Sequence, residues 1–133
     1  MKVLKKNKTL YFLDDVQANT NFYWNGIKES QSYYLDRRRT GRYTQYFDDG
    51  SISITGRYNQ GLKDGLRTTW YYTYPHQERR IESKENYLNG IREGLYERWY
   101  INGTKQVEGR YHNGKEIGEW KSWEFGRLII INY

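Results

Sequence analysis

The sequence predicts an all-β protein: an elongated, twisted antiparallel meander of about five β-hairpin units, each roughly 24 residues long. Three observations lead there. One phrase recurs, as "QGLKDGLR" (60–67), "NGIREGLY" (89–96) and "NGKEIGEW" (113–120), and self-similarity at a fixed period marks a repeat architecture. Gly41 to Gly65 and Gly94 to Gly118 are both 24 residues apart, whereas Gly65 to Gly94 is 29, so the middle copy carries five extra residues. Second, stretches such as "RYTQYF" and "SISITGRY" are rich in aromatic and β-branched residues and contain no good helix window. Third, Asp49-Gly50 between them is a strong hairpin signal, because a tight primed turn needs positive φ.

The totals agree. A length of 133 residues suits one domain. Hydrophobic residues make up 36% of the chain and rings 18%, so half of the apolar material is aromatic and any core must be built from Tyr and Trp. With 29% charged residues and 13 Gly, the chain is too polar for a compact ball and suits a thin sheet. Without cysteine there is neither a disulfide framework nor a thiolate zinc site. The longest apolar run of the basic N-terminus "MKVLKKNKTLYFLDD" is "LYFL". That is shorter than the apolar region of a signal peptide, and no stretch reaches membrane-spanning length, so a cytoplasmic location is expected. The sequons at Asn7 and Asn102 are read as chance, the second as a turn.

In chain order, residues 1–16 are expected to form an N-terminal strand or cap, and 17–133 the repeat domain. Unit one (17–40) announces itself through Gly26 in "FYWNGIKE", 24 residues before Gly50, and has Arg37 where later units have a turn glycine. Unit two (41–64) is the plainest: two strands, Asp49-Gly50 between them, and "NQGLKD" as the reversal into the next unit. Unit three (65–93) is expanded by "YTYPHQERR", unit four (94–117) repeats unit two, and unit five (118–133) is truncated. Rings keep the register: Phe22, Tyr46, Trp70, Trp99 and Trp123 are equivalent, as are Tyr34, Tyr58, Tyr87 and Tyr111. Strand alternation puts Tyr43 and Phe47 on one face and Tyr46 on the other, and likewise Tyr96 and Tyr100 against Trp99. Gly56 and Gly109 leave room for a neighbouring ring to lie over the backbone.

The units "GRYTQYFDDG" (41–50) with "GRYNQG" (56–61), and "GLYERWYING" (94–103) with "GRYHNG" (109–114), resemble the MORN-variant repeat; "GEWKSWEFG" (118–126) fits with one residue deleted. The chain is thereby similar to the bacterial YwqK-family repeat antitoxins over about 22–126. The resemblance implies an all-β sheet that binds proteins or lipid headgroups without catalytic residues, and an antitoxin or immunity-type role in which the sheet sequesters a toxin or effector. Arg67, where Tyr43, Tyr96 and Trp120 sit, Arg37 at the turn, and the expanded unit three depart from the pattern.

Nothing in the chain reads as catalytic. His112 occupies a turn position, and His76 has no cysteine or second histidine near it in sequence, so no metal is expected. The adjacent carboxylates Asp14-Asp15 and Asp48-Asp49 read as turn formers, since strand neighbours point to opposite sides. No serine sits in a nucleophile elbow, and the repeat accounts for every glycine, so no phosphate-cradling loop and no cofactor are expected. The expectation is a non-enzymatic binding module.

The net charge is +6, with clusters at Lys2, Lys5, Lys6 and Lys8, at Arg37, Arg38, Arg39 and Arg42, and at Arg79, Arg80 and Lys84. Such a balance can simply keep a ring-rich repeat soluble, or it can draw an acidic protein, anionic lipid or single-stranded nucleic acid. Function is expected where the repeat is broken. The expanded hairpin, with Tyr72, Tyr74, Pro75, His76, Arg79 and Arg80, should form a ring-and-arginine tip, the composition of binding hot spots. Arg37, Arg38 and Arg39 should form a basic knob facing a partner's acid groups. Leu128, Ile129, Ile130 and Ile131 make both faces of the last strand apolar, so either the N-terminal "VLKKNKTLYFL" caps it or a second copy or partner adds a strand.

Overall fold

A computed structural model of the chain describes residues 15–133, and the backbone alone of Val3–Lys6 and Thr9–Phe12. Lys2, Asn7, Lys8 and Asp14 lie outside the described residues. In chain order the strands are β1 (Val3–Lys6), β2 (Thr9–Phe12), β3 (Val16–Phe22), β4 (Lys28–Leu35), β5 (Arg38–Arg39), β6 (Gly41–Tyr46), β7 (Ile52–Asn59) and β8 (Leu62–Lys63). They continue with β9 (Gly65–Trp70), β10 (Ile81–Leu88), β11 (Ile91–Arg92), β12 (Gly94–Trp99), β13 (Lys105–His112), β14 (Lys115–Glu124) and β15 (Arg127–Asn132). No helix of the described residues is long and apolar enough to cross a membrane.

The fold is all-β, as expected. One 13-stranded antiparallel sheet runs in the order β15-β14-β13-β12-β10-β9-β7-β6-β4-β3, an open meander in which consecutive long strands are always neighbours. The two-residue strands β5, β8 and β11 pair back onto β4, β7 and β10. The remaining pair, β1 and β2, forms its own two-stranded sheet. Each unit therefore leans on the units before and after it, as in linear repeat proteins.

The turns differ from expectation in an informative way. The primed geometry appears between units, where both turn residues have positive φ: Gln60 (49°) with Gly61 (84°), Asn89 (48°) with Gly90 (81°), Asn113 (49°) with Gly114 (80°). In the hairpin turn of unit two, residues 47–51, only Gly50 is left-handed (87°), and Phe47 and Ser51 close a longer loop. The Asp49 carboxylate explains the change. It accepts hydrogen bonds from the Ser51 N–H (2.9 Å) and hydroxyl (2.6 Å), a local bridge that holds the aspartate out of the left-handed region. Asn102 does the same for Thr104.

At each unit boundary one strand gains two residues. Between the pairs Thr55↔Thr68 and Tyr58↔Lys63, residues 64–67 face only 56–57, and Gly65 supplies the positive φ of this bulge.

No apolar side chain among the described residues is fully buried; the deepest are Ser32, Thr44, Ser53, Thr68 and Ser83. A single layer has no second layer to close a core, so the units are stitched by other means. The hydroxyls of Tyr23, Tyr71 and Tyr100 donate to the carbonyls of Tyr46 (2.6 Å), Trp99 (2.8 Å) and Trp123 (2.7 Å), each one unit on. Unit two has Phe47 at this position and lacks the bond. At the opposite edge, the N–H groups of Gly61, Gly90 and Gly114 donate to the carbonyls of Arg39, Lys63 and Arg92.

Candidate functional site: two faces and one edge

Directly opposed strand residues share a face, so the register separates the sheet into two unlike surfaces. The ring face carries Tyr34, Tyr43, Tyr58, Tyr87, Tyr96, Tyr111 and Trp120, all half-buried. They pack against one another: Tyr43 meets Tyr58 edge-on at 5.6 Å, and Trp120 stacks on Tyr96 at 5.8 Å. The Trp120 ring lies over Gly109 so closely that a Cβ there would overlap it, as the glycine pattern implied. Over Gly56 the corresponding place is taken by Arg67, whose guanidinium lies 5.7 Å from the Tyr43 ring. Arg39, Lys63 and Arg92, equivalent positions of three units, sit over the tyrosines at 5.0–6.0 Å. A hydrogen bond from Arg39 to the Tyr34 hydroxyl (3.1 Å) draws that hydroxyl's pKa down, while burial pushes those of Tyr87 and Tyr111 up. The cations and rings of this face satisfy each other.

The other face is different. Val16 just before unit one, Leu35 and Leu62 of units one and two, Leu66, Leu88 and Ile91 of unit three, and Leu95 and Ile117 of unit four fall on it through successive pairs such as Val16↔Leu35, Leu88↔Ile91 and Leu95↔Arg110. Each is 38–56% exposed. Sequence reasoning missed this aliphatic face, although Leu62–Ile91 and Leu66–Leu95 repeat the 29-residue spacing that aligned the rings. Farther along the strands it carries Tyr46, Trp70 and Trp99, with Lys105 over the Trp99 ring (4.6 Å).

The three predicted sites are placed as follows. The expanded hairpin is the loop 71–80 between β9 and β10. Its arginines are not at its tip. Arg79 donates to the Ile52 carbonyl of unit two and lies over Trp70, and Arg80 pairs with Glu78 (3.1 Å) and packs on Gly103 of unit four. Tyr72 meets Phe47 edge-on at 5.3 Å, which leaves Tyr74 (70% exposed) and His76 at the exposed tip. The loop is thus tied to both neighbouring units. The three arginines do not form one knob either. Arg37 takes the glycine place of the turn at φ 63°, Arg38 lies on the aliphatic face, and Arg39 is absorbed by the ring face.

The last strand stands as expected at an edge, paired only with β14. Ile129 and Ile131 lie on the ring face beside Ser122 and Trp120, Leu128 and Ile130 on the other, all 40–51% exposed. β1 and β2 pair with each other, and among the described residues no strand pairs with the outer side of β15.

Among the described residues, no three His, Cys, Asp or Glu side chains come together as a metal site would require. His112 instead contacts Glu93 at 2.9 Å, and Glu93 is held below the ordinary glutamate range by the Asn113 N–H and by His112. No protein-family model matches the chain, and no curated protein matches it.

Proposed function

We propose that the chain is a non-enzymatic protein-binding repeat module that sequesters a partner through the aliphatic face, an antitoxin or immunity-type inhibitor of the MORN-variant kind. The observation that supports this is the asymmetry of the two faces. Monomeric proteins seldom leave a contiguous apolar surface in water, and larger exposed patches accompany interaction sites. Here the ring face consumes its own cations and hydroxyls, while the opposite face holds eight exposed aliphatic side chains from Val16 to Ile117, through units one to four.

The test is affinity capture from the native host, followed by reconstitution with the captured protein purified, using the wild type and the double variant Leu66→Glu/Leu95→Glu. A saturable complex that the variant loses is expected. If the purified pair forms no saturable complex, the reading falls. A second reading, an anionic lipid surface, is favoured by the arginines beside the aliphatic row, and flotation with phosphatidylserine vesicles separates it. Single-stranded nucleic acid would need free rings for stacking, and the rings of the ring face are packed against one another and under cations.

A further inference from the structure

Across the middle of the aliphatic face runs one row of directly opposed residues, Thr44↔Thr55↔Thr68 in units two and three, then Lys84↔Glu97 farther on. In the later units this row is filled by charge: Lys105 pairs with Glu97 and Glu108, and Lys121 with Glu108 (3.7 Å) and Glu119 (3.3 Å). In units two and three it is a recess with small hydroxyls at its floor, and Thr44 and Thr68 are buried. Arg42, Arg57 and Leu66 line one side of this recess and Tyr46 another. Arg42 and Arg57 are directly opposed, and neither has an acidic partner among the described residues. Two like charges in opposed strand positions repel, and a carboxylate between them relieves the repulsion through charge-assisted hydrogen bonds.

We infer that this threonine-floored recess is a carboxylate-binding groove that receives the acidic side chains of an extended acidic–aliphatic segment of a partner protein. The inference rests on the protein-binding reading and gives it a chemistry. Carboxylates enter between Arg42 and Arg57, and the segment's apolar side chains lie on Leu62, Leu66 and Leu95 alongside. Charge complementarity fixes the placement. The ion pairs of the later units already neutralise that part of the row, so the acidic end of the segment lies over units two and three.

The probe is a labelled octapeptide of alternating glutamate and leucine, read by fluorescence anisotropy against its glutamine–leucine counterpart. One variant is Arg42→Gln/Arg57→Gln. The other, Thr55→Lys/Thr68→Glu, copies into the recess the Lys84–Glu97 pair found one unit on, so the fold already accommodates it. Binding of the acidic peptide only, weakened at least about tenfold by either variant, is expected. Equal binding of both peptides, or binding that neither variant changes, overturns the groove and leaves the protein-binding module standing. Recruitment to phosphatidylserine vesicles, lost in both variants and with no peptide binding, overturns the protein segment and assigns the recess to headgroup phosphates. If wild type binds neither probe, the inference is wrong, and the capture experiment alone then decides the module reading.

Discussion

Replacing Phe47 by Tyr should stabilise the protein, because unit two lacks a bond that its neighbours make. Tyr23, Tyr71 and Tyr100 each reach the carbonyl of the ring residue one unit on, over 2.6–2.8 Å. The carbonyl in the corresponding place for Phe47 is that of Trp70. A neutral hydrogen bond contributes about 0.5–1.5 kcal/mol net, and for a chain of this size each kcal/mol moves the melting midpoint by about 3–5 °C. Phe47→Tyr should therefore raise the midpoint by about 2–8 °C. Tyr100→Phe should lower it by a similar amount, since it leaves the Trp123 carbonyl without that donor. The assay is thermal and urea unfolding followed by circular dichroism. A neutral Tyr100→Phe would refute the claim that these bonds couple the units. A destabilising Tyr100→Phe with a neutral Phe47→Tyr would show instead that the Tyr72 ring, edge-on to Phe47 at 5.3 Å, blocks the new hydroxyl.

Four further outcomes follow from particular positions. Arg37→Gly should stabilise by about 0.5–1 kcal/mol in urea unfolding, the left-handed penalty of a non-glycine residue less the extra freedom of glycine in the unfolded chain. Gly109→Ala should cost about 1–3 kcal/mol by forcing the Trp120 ring off the backbone, whereas Gly56→Ala, where Arg67 Cγ lies at an ordinary 3.5 Å from the new carbon, should not destabilise. The Glu93 pKa is lowered on folding, so its contribution is present above the unfolded-state value and fades as pH falls through the folded one; Glu93→Gln should flatten the acid limb of stability against pH in that window. Pairing of β15 with a second copy predicts a dimer by sedimentation that becomes a monomer when residues 128–133 are deleted; a full-length chain that sediments as a monomer removes that interface.

The repeat was legible because glycines and rings hold their spacing. Period, turn positions and the close ring over Gly109 could all be read from Gly41, Gly65, Gly94 and Gly118 and the rings between them, whereas the two-residue strands β5, β8 and β11 could not. The turn types were not, because Asp49 and Asn102 bond their own backbone and widen loops that Asp-Gly or Asn-Gly pairs alone would make tight. The sites were least legible. Composition marks an arginine but not what it touches: Arg39 lies under tyrosines, and Arg79 reaches the Ile52 carbonyl. The aliphatic face was overlooked because its leucines flank the turns, where the turn glycines drew the reading.

Copies of one unit with the same backbone diverge in the row that runs from Thr44 to Lys121, and the divergence divides labour along the sheet. A single layer cannot bury a core, so each unit must draw cohesion from its neighbours. The later units do so in this row with Lys105, Glu97, Glu108 and Lys121, a linked ion network half shielded from water. Networked pairs of this kind contribute more than isolated surface pairs. Units two and three place threonines in the same positions and forgo that network, while the opposed arginines beside them add repulsion. Expanded unit three offsets part of the loss. Its loop binds unit two through Tyr72 and Arg79, and unit four through Tyr71 and Arg80. On this account the insertion is a brace beside the recess, and shortening it to the five-residue loop of unit two should loosen units two and three first. Hydrogen exchange would show protection lost at β7 and β9 before β13 and β14, and uniform loss along the sheet would refute the brace.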